Sequence, residues 1–218
     1  MKTGIVFDLD GTLLNTLEDL LDATNYALTA CGYPERTLPE LRRFVGNGAR
    51  NQIRLSLPEG AGDGEIDRVL GIYKPYYTAH CQEKTRPYEG IPQALETLKD
   101  HYPMAIVSNK PDPAVKELCG KYFPELFALG ETPDCPRKPA PDMIFRAMKE
   151  MGVDRAICVG DSEVDVATAA NAGMPCLSVL WGFRDKDVIQ AGGGSHFCVC
   201  PAEMPRALME LEQTVWGV

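Results

Sequence analysis

Four short runs of almost uninterrupted apolar residues recur along the chain, and they constrain its fold more than any other feature. They occupy residues 4–7, 104–107, 156–159 and 175–180. Runs of this kind are typical of strands that are covered on both faces, whereas a strand with one face in water alternates apolar and polar residues. Between the runs, apolar residues recur at helical spacing. The alternation predicts an α/β fold with a doubly wound parallel sheet, Rossmann-like in type, whose ligand site lies beyond the carboxyl ends of the strands.

Residues 16–85 interrupt this alternation, because they contain helical periods and no strand-like run. The segments at either end, 14–16 and 84–90, are polar or marked by proline and glycine, as is typical of connections. We therefore predict an α/β core domain formed by residues 1–15 and 86–218, with a small all-helical cap domain, residues 16–85, inserted after the first strand. An insert at this point would lie over the carboxyl end of that strand.

Residues able to carry chemistry stand at the ends of three predicted strands and at the start of one predicted helix. Each has an ordinary interpretation when taken alone: an aspartate can complete a turn, serine and asparagine can cap a helix, and a lysine can lie in solvent. Together they would meet at one edge of the sheet, because parallel strands end there on the same side. The residues are Asp8, Asp10, Ser108, Asn109, Lys138, Asp161 and Asp165.

Four of these side chains are carboxylates, and carboxylates held close together repel one another. The repulsion is roughly 4 kcal/mol per pair at a separation of about 4 Å and the effective dielectric constant of a protein surface. A hard divalent cation would relieve it, and the candidate ligands offer oxygen, which Mg2+ prefers. Since Mg2+ in proteins commonly binds one or two carboxylates together with waters and a substrate phosphate, the pattern favours a centre for phosphoryl transfer.

In their order along the chain, these segments resemble the four motifs of the haloacid dehalogenase-like phosphatases, and the resemblance covers nearly the whole sequence. It implies that Asp8 is the nucleophile and Asp10 the acid/base. The chemistry suits these groups, because a carboxylate is already ionised at neutral pH and attacks phosphorus without help from a base. Asp10 would protonate the leaving oxygen and later deprotonate water, so we expect its pKa to lie above that of Asp8.

The same resemblance assigns roles to the remaining motif positions. It implies that Ser108, Asn109 and Lys138 bind the phosphoryl group. It also implies a magnesium site, in which Asp165 is either a direct ligand or a residue that orients other groups. The implied metal-binding residues are Asp8, Asp10, Asp161 and Asp165.

A glycine-rich segment within the predicted cap, Gly46-Asn47-Gly48, separates two helical patterns. By composition alone it predicts a tight turn between helices. It also resembles the cap loop of the bacterial phosphoglycolate phosphatases, a branch of the same family, and this implies a part in substrate specificity. Arg50 then becomes a candidate for binding a substrate carboxylate, because a planar guanidinium suits that group. Phosphoglycolate is the leading substrate that this resemblance implies.

Other functions remain open on the sequence. A phosphatase for sugar phosphates or a phosphomutase would share this active site, and the mutase differs by returning the phosphate to the sugar. A receiver-type signalling domain also accepts phosphate on an aspartate, although the second aspartate of Asp8-Leu9-Asp10 and the helical insert argue against it. Such a domain would carry a stable aspartyl phosphate and would not turn over phosphate esters.

Charge and cysteine content narrow the partners and the location. Lysine and arginine number 22 against 31 aspartates and glutamates, a formal net charge of -9, which argues against a nucleic-acid partner. The amino terminus reaches charged residues too early for a signal peptide, and no later run has the length of a membrane span. The eight cysteines lack the paired spacings of a zinc site or a disulfide scaffold. We expect a cytoplasmic protein, monomeric or homodimeric, whose partner is a small phosphorylated metabolite.

Overall fold

The computed structural model describes residues 1–217 and is built around one parallel sheet of six strands, with two further short strands paired beside it. The strands are β1 (Thr3–Phe7), β2 (Leu14–Asn15), β3 (Arg86–Pro87), β4 (Met104–Pro111), β5 (Phe127–Glu131), β6 (Arg155–Gly160), β7 (Cys176–Val179) and β8 (His196–Cys198). In the large sheet they follow the order β5-β4-β1-β6-β7-β8. From β1 in the middle, the chain adds strands first on one side and then on the other, which confirms the predicted doubly wound arrangement.

The four predicted apolar runs form β1, β4, β6 and β7. The sequence pattern did not predict β5 and β8, which are the two edges of the large sheet. An edge strand pairs on one side only and is less completely covered, so a weaker apolar pattern is enough to form it. β5 ends in Gly130 and Glu131, and β8 begins with the half-buried His196, so neither forms a continuous apolar run.

Four helices occupy the segment predicted to be an insert, and the chain enters and leaves this segment at one place. They are α1 (Leu17–Ala30), α2 (Leu38–Phe44), α3 (Gly48–Ser56) and α4 (Asp63–His80). β2 precedes α1 and β3 follows α4, and the antiparallel pair β2–β3 forms a neck between the insert and the sheet. The carboxylate of Asp19 braces this neck by accepting hydrogen bonds from the backbone N–H groups of Lys84 and Thr85, at 2.9 and 2.8 Å.

Six more helices cover the two faces of the sheet. They are α5 (Ile91–Leu98), α6 (Asp112–Tyr122), α7 (Asp142–Met151), α8 (Glu163–Ala172), α9 (Lys186–Ala191) and α10 (Met204–Trp216). Ile5 and Phe7 of β1 belong to a large apolar cluster with α5, α6 and α10, whereas Val6 belongs to a smaller one with α7 and α8. This alternation follows from the two-residue period of a strand. Each such buried side chain contributes about 1.5–3 kcal/mol to folding.

The insert helices pack onto the carboxyl edge of the sheet and share the large apolar cluster. Tyr73 and Tyr77 of α4 are buried in it, α3 packs beside β4, and α4 packs beside α6. All eight cysteines are free thiols, and five of them are buried. Within residues 1–217, no helix combines the length and the apolar character that crossing a membrane requires. The expected cytoplasmic location stays a prediction from sequence.

Candidate active site

The residues singled out from sequence meet at the carboxyl edge of the sheet, after β1, β4 and β6 and just before α7. A cavity of about 40 Å³ lies among them, and the insert closes its other side. Because each strand leading to the cavity is buried, the side chains that follow it are held by a rigid backbone. Among the residues predicted from sequence, the cavity is lined by Asp8, Asp10, Gly46, Gly48, Ser108, Asn109, Lys138, Asp161 and Asp165.

Three of the carboxylates form a buried cluster. One oxygen from each of Asp8, Asp161 and Asp165 lies within 4.8 Å of the others, and none of the three residues is more than 8% exposed. Burial raises the pKa of Asp8 to about 7, although Lys138 pulls it the other way. Burial, followed by the charges of Asp165 and Asp8, also raises the pKa of Asp161 well above its usual value. These residues alone therefore do not give the freely ionised Asp8 that the sequence argument expects, and a cation among them would restore it.

Lys138 holds two members of this cluster. Its buried Nζ lies 2.6 Å from Asp8 Oδ1 and 2.7 Å from Asp165 Oδ1. Burial alone would lower the pKa of Lys138, but the two carboxylates outweigh it and raise the pKa, so the ammonium stays charged. The other oxygen of Asp165 accepts hydrogen bonds from the backbone N–H and the hydroxyl of Ser162, in the capping box that begins α8. Since both oxygens of Asp165 are already bonded, its arrangement favours the orienting role over direct metal ligation.

The carboxylate of Asp10 is turned away from the cluster. Its Oδ1 accepts a hydrogen bond from Thr16 Oγ1 at 2.5 Å and lies 2.8 Å from Nζ of Lys110, while its Oδ2 accepts a longer bond of 3.4 Å from Ser108 Oγ. This geometry does not support the predicted metal ligation by the Asp10 side chain. Thr16 and Lys110 are partners that the sequence argument missed. For Lys110 a signal was available, because it directly follows Ser108 and Asn109 at the end of β4.

A glycine makes the close packing of the carboxylates possible. Gly11 has a φ of 84°, which L side chains rarely adopt, and a Cβ added to it would lie 2.7 Å from the carboxyl carbon of Asp161. Gly11 is therefore required both by the turn after β1 and by the approach of Asp161. The same Asp161 accepts a hydrogen bond of 2.5 Å from the backbone N–H of Phe183.

The glycine-rich loop of the insert contacts the core as well as the cavity. The side-chain amide of Asn109 donates to the carbonyl of Gly46 at 3.3 Å and to that of Lys138 at 3.0 Å. These bonds use the side-chain donors of Asn109, which was predicted to bind phosphate, to join the loop to the core. A Cβ added to Gly48 would lie 2.7 Å from a guanidinium nitrogen of Arg137, so Gly48 permits this close approach. Asn47 is the N-cap residue of α3 and is not among the cavity-lining residues.

The structure does not bring Arg50 to the cavity. Its guanidinium pairs with Asp63 at 2.6 Å and with Asp67, and its side chain is 42% exposed on the surface of the insert. Arg50 is the third residue of α3, and the helix turns this residue outward and turns Ala49 and Gln52 toward the cavity. The predicted contact between Arg50 and a substrate carboxylate has no support in this arrangement.

Arg184, which the sequence argument missed, does line the cavity. Its two terminal nitrogens donate to the carbonyls of Arg42 and Val45, at 2.8 and 2.6 Å, and its Nε donates to Glu163 at 3.2 Å. A core residue thereby binds the backbone at the end of α2. Phe183 and Arg184 also line an outer groove of about 520 Å³, so these two residues form the wall between the groove and the cavity. The available signal was a charged residue shortly after β7, at the same edge of the sheet.

Comparison with known proteins agrees with this geometry. A family model described as haloacid dehalogenase-like hydrolase matches residues 5–179. A phosphoglycolate phosphatase of Mesorhizobium japonicum is 34% identical over 217 residues, which cover 94% of this chain and 96% of that protein. A phosphoglycolate phosphatase of Rhodobacter capsulatus is 34% identical over 191 residues, which cover 84% of this chain and 87% of that protein.

A solved structure gives the same result for the fold. A protein of Lactobacillus delbrueckii subsp. bulgaricus, provisionally described as a phosphoglycolate phosphatase, is 35% identical and has a TM-score of 0.87. The similarity covers 100% of both chains. The helices between β2 and β3 are therefore within the shared structure.

Proposed function

Since the chain belongs to the haloacid dehalogenase-like hydrolases, we propose that it is a magnesium-dependent phosphatase that hydrolyses a small phosphate monoester through an aspartyl-phosphate intermediate. Its family and its phosphoglycolate phosphatase relatives identify it as a phosphoric monoester hydrolase. The metal, the covalent step and the substrate are the proposal. One observation carries them: Asp8 lies buried between the ammonium of Lys138 and the carboxylate of Asp161 and lines the cavity at the sheet edge.

The donor set of the cluster suits Mg2+. The hydrogen bonds within residues 1–217 use Asp8 Oδ1 and Asp161 Oδ2, which leaves Asp8 Oδ2 and Asp161 Oδ1 for a metal. Two carboxylate oxygens with water and phosphate oxygens are a typical Mg2+ environment. Asp165 would hold the cluster in place through Lys138 and Ser162. When bound, Mg2+ supplies positive charge that keeps Asp8 ionised and offsets the negative charge of the phosphoryl group.

In the first step that we propose, a carboxylate oxygen of Asp8 attacks phosphorus and forms the acyl phosphate. The bond from phosphorus to the ester oxygen breaks, and Asp10 gives its proton to that leaving oxygen. Lys138 and Ser108 hold the phosphoryl oxygens, with positive charge from the former and a hydroxyl donor from the latter.

In the second step, water attacks the phosphorus of the acyl phosphate. Asp10, now ionised, accepts a proton from this water, and the bond from phosphorus to the Asp8 oxygen breaks. Inorganic phosphate leaves and Asp8 is restored as a carboxylate. The residues are thus returned to their initial protonation states, with one water consumed for each ester cleaved.

We propose that residues 16–85 act as a cap domain on a core domain of residues 1–15 and 86–218. A cavity of about 40 Å³ has room for about three water molecules, whereas ligand pockets commonly measure about 300–1,000 Å³. A phosphate ester therefore enters when the insert moves away from the sheet edge, and the two-stranded neck is the joint for that movement. Closure would then exclude bulk water from the acyl phosphate.

Phosphoglycolate is the substrate we propose. The phosphoglycolate phosphatase relatives favour this ester over a hexose phosphate, the alternative that a sugar-phosphate phosphatase or a phosphomutase would bind. A guanidinium has five N–H donors, and Arg184 uses three of them for Arg42, Val45 and Glu163. Within the described residues, one donor on each terminal nitrogen has no partner, and Arg184 lines the cavity. We assign these two donors to the carboxylate of the substrate, the role that the family resemblance had suggested for Arg50.

A phosphate-release screen tests this proposal. The purified protein is assayed with phosphoglycolate, hexose phosphates, nucleotides and pyrophosphate, each with Mg2+ and with EDTA. We expect phosphate release that requires Mg2+ and has its highest kcat/KM for phosphoglycolate. Absence of release from every ester would contradict a phosphatase. Transfer of phosphate back to a sugar, in place of release to water, would identify a mutase.

A further inference from the structure

A buried lysine joins the core to the insert directly at Asp10. Lys110 is the last residue but one of β4, and its side chain is 2% exposed. Its Nζ lies 2.8 Å from Asp10 Oδ1, donates a hydrogen bond to the hydroxyl of Tyr77, and sits 4.4 Å from the centre of the Tyr77 ring. Tyr77 belongs to α4 and is 1% exposed. One ammonium therefore contacts both the proposed acid/base of the core and an aromatic side chain of the insert.

These contacts account for the donors of a charge that is unfavourable to bury alone. A lysine ammonium has three donors, and a buried one is stable only when they meet acceptors or opposite charge. Here one donor meets the carboxylate of Asp10 and another the hydroxyl of Tyr77, while the ring face of Tyr77 adds a cation–π contact. Lys110 is therefore fixed in position, and a fixed ammonium fixes the carboxylate that it contacts.

The contacts divide the two oxygens of Asp10 into different roles. Both close donors, Thr16 Oγ1 and Lys110 Nζ, meet Oδ1. Oδ2 has only the long bond of 3.4 Å from Ser108 Oγ, a residue that lines the cavity. A carboxyl proton held on Oδ1 would collide with the donors already there. Oδ2 is the oxygen left to carry a proton, and it lies on the side of the proposed phosphoryl-binding residue.

We propose that Lys110 is a positioning residue for Asp10, and that Tyr77 of the insert holds Lys110 in the position this requires. The inference rests on the proposed function, because it takes Asp10 to be the acid/base. As the bond from phosphorus to the ester oxygen breaks, the proton passes from Asp10 Oδ2 to the leaving oxygen, and Lys110 keeps its own protons throughout. Correct packing of α4 on the core is then a condition for proton transfer.

Two esters with different leaving groups provide a test. An alkyl ester such as phosphoglycolate expels a strongly basic oxygen that needs the acid, whereas p-nitrophenyl phosphate expels a weakly basic phenolate that hardly needs it. For Lys110→Met, we expect kcat/KM on phosphoglycolate to fall by about 10²- to 10³-fold, the lower part of the usual range for acid catalysis, and kcat/KM on p-nitrophenyl phosphate to fall by less than about tenfold. The ratio kcat/KM is used because it reports the first step for both esters.

Graded variants sharpen the expectation. Tyr77→Phe removes only the hydroxyl that Lys110 contacts. Its kcat/KM on the alkyl ester should therefore fall about tenfold more than its kcat/KM on p-nitrophenyl phosphate, the scale of one hydrogen bond to a charged group. Lys110→Arg keeps the charge and should recover part of the selective loss. Lys149→Met, which alters an exposed lysine of α7, is the matched control and should leave both esters unchanged.

Asp10→Asn separates failure of this inference from failure of the proposed function. If Asp10→Asn affects the alkyl ester selectively but Lys110→Met lowers both esters equally, Lys110 has only a structural role and the inference is overturned. If Asp10→Asn itself shows no preference between the esters, the acid/base assignment is wrong. Each variant is first compared with the native protein by its melting temperature and by the rise in melting temperature that Mg2+ produces. Should Lys110→Met not fold, Tyr77→Phe and Lys110→Arg carry the same comparison.

Discussion

The sheet edge and the helical insert form the same cavity, but they contribute different groups to it. Within the described residues, every charged side chain that lines the cavity comes from the core, and the insert supplies backbone and uncharged side chains. The insert contribution consists of Leu20, Val45, Gly46, Gly48, Ala49, Gln52 and Tyr73. The charged groups stand where strands end, whereas the insert groups stand where helices meet the core. We infer that the core carries the chemistry and that the insert determines which molecules reach it and whether water is excluded.

The largest expected effect tests the chemical half of this comparison. Asp8→Asn removes the proposed nucleophile, so turnover should fall by about 10⁴-fold or more, the scale seen when a nucleophile of a covalent mechanism is lost. The measurement is phosphate release in the presence of Mg2+. The same substitution on the insert surface, Asp67→Asn, is the matched control and should leave turnover within about twofold. Activity that survives in Asp8→Asn would overturn the nucleophile assignment.

A second prediction concerns metal and pH, and it again separates the core cluster from the insert. Mg2+ at about one hundred times its Kd should stabilise the fold by about 2.7 kcal/mol, a rise in melting temperature of roughly 5–10 °C. Asp161→Asn should remove most of this rise, while Asp63→Asn in the insert should retain it. A melting temperature that does not respond to millimolar Mg2+ would contradict the metal site.

The raised pKa of Asp8 determines whether the stability of the fold rises or falls with pH. Its pKa is raised from 3.8 to about 7, so the folded protein binds more protons than the unfolded chain between about pH 4 and 7. In EDTA, this group should therefore make the protein less stable as the pH rises through that range, and Mg2+ should bind more tightly as the pH rises because it competes with protons. In EDTA, the melting temperature should fall more steeply between pH 5 and 8 for the native protein than for Asp8→Asn. Equal slopes would refute the assignment.

A smaller effect is expected at the contact between the two regions. Arg184→Met removes the donors that we assign to the substrate carboxylate, so KM for phosphoglycolate should rise by about 10- to 100-fold, the scale of a charged hydrogen bond. KM for an alkyl phosphate without a carboxylate should rise much less. Arg50→Met tests the residue suggested by the family resemblance and should change KM by no more than about twofold, because its ion pairs are exposed. A larger effect at Arg50 than at Arg184 would reverse the assignment.

The smallest effect concerns the glycine loop. Gly48→Ala and Gly60→Ala both place a side chain at positive φ, at 77° and 88°. Only at Gly48 would the added Cβ meet a neighbour, Arg137, because nothing lies within 4 Å of the corresponding position at Gly60. Both variants should lose about 1 kcal/mol of stability, and Gly48→Ala should also lose up to about tenfold in kcat/KM. Equal activity in the two variants would show that closure does not depend on this contact.

The two regions also differ in how far the sequence predicts them. Asp8 directly follows a buried apolar run and Asp161 follows another after Gly160, so the position of the strand end determines the position of the side chain. The parallel order of the sheet then brings such ends together from distant parts of the chain. The pattern therefore indicated both the fold and the residues at the sheet edge.

Contacts that depend on tertiary packing were not predictable in this way. Arg50 and Arg184 each stand two residues after a glycine, and only the rotation of α3 turns the first outward. Lys110 stands at a predicted strand end, but its pairing with Asp10 depends on α4 packing over it. The roles of Asp165 were open because the sequence does not show that Ser162 and Lys138 use both of its oxygens. Such distinctions depend on the packing of side chains far apart in sequence, which no local period encodes.

The antiparallel pairing of β2 with β3 has a consequence for how such proteins diversify. Because the two attachment points of the helical segment are neighbours, the segment is joined to the sheet like a module on a single stem. An evolutionary exchange of everything between these attachment points would leave each strand connection of the sheet intact. New substrate preferences could then arise by replacing the module, while the phosphate-cleaving apparatus is inherited unchanged.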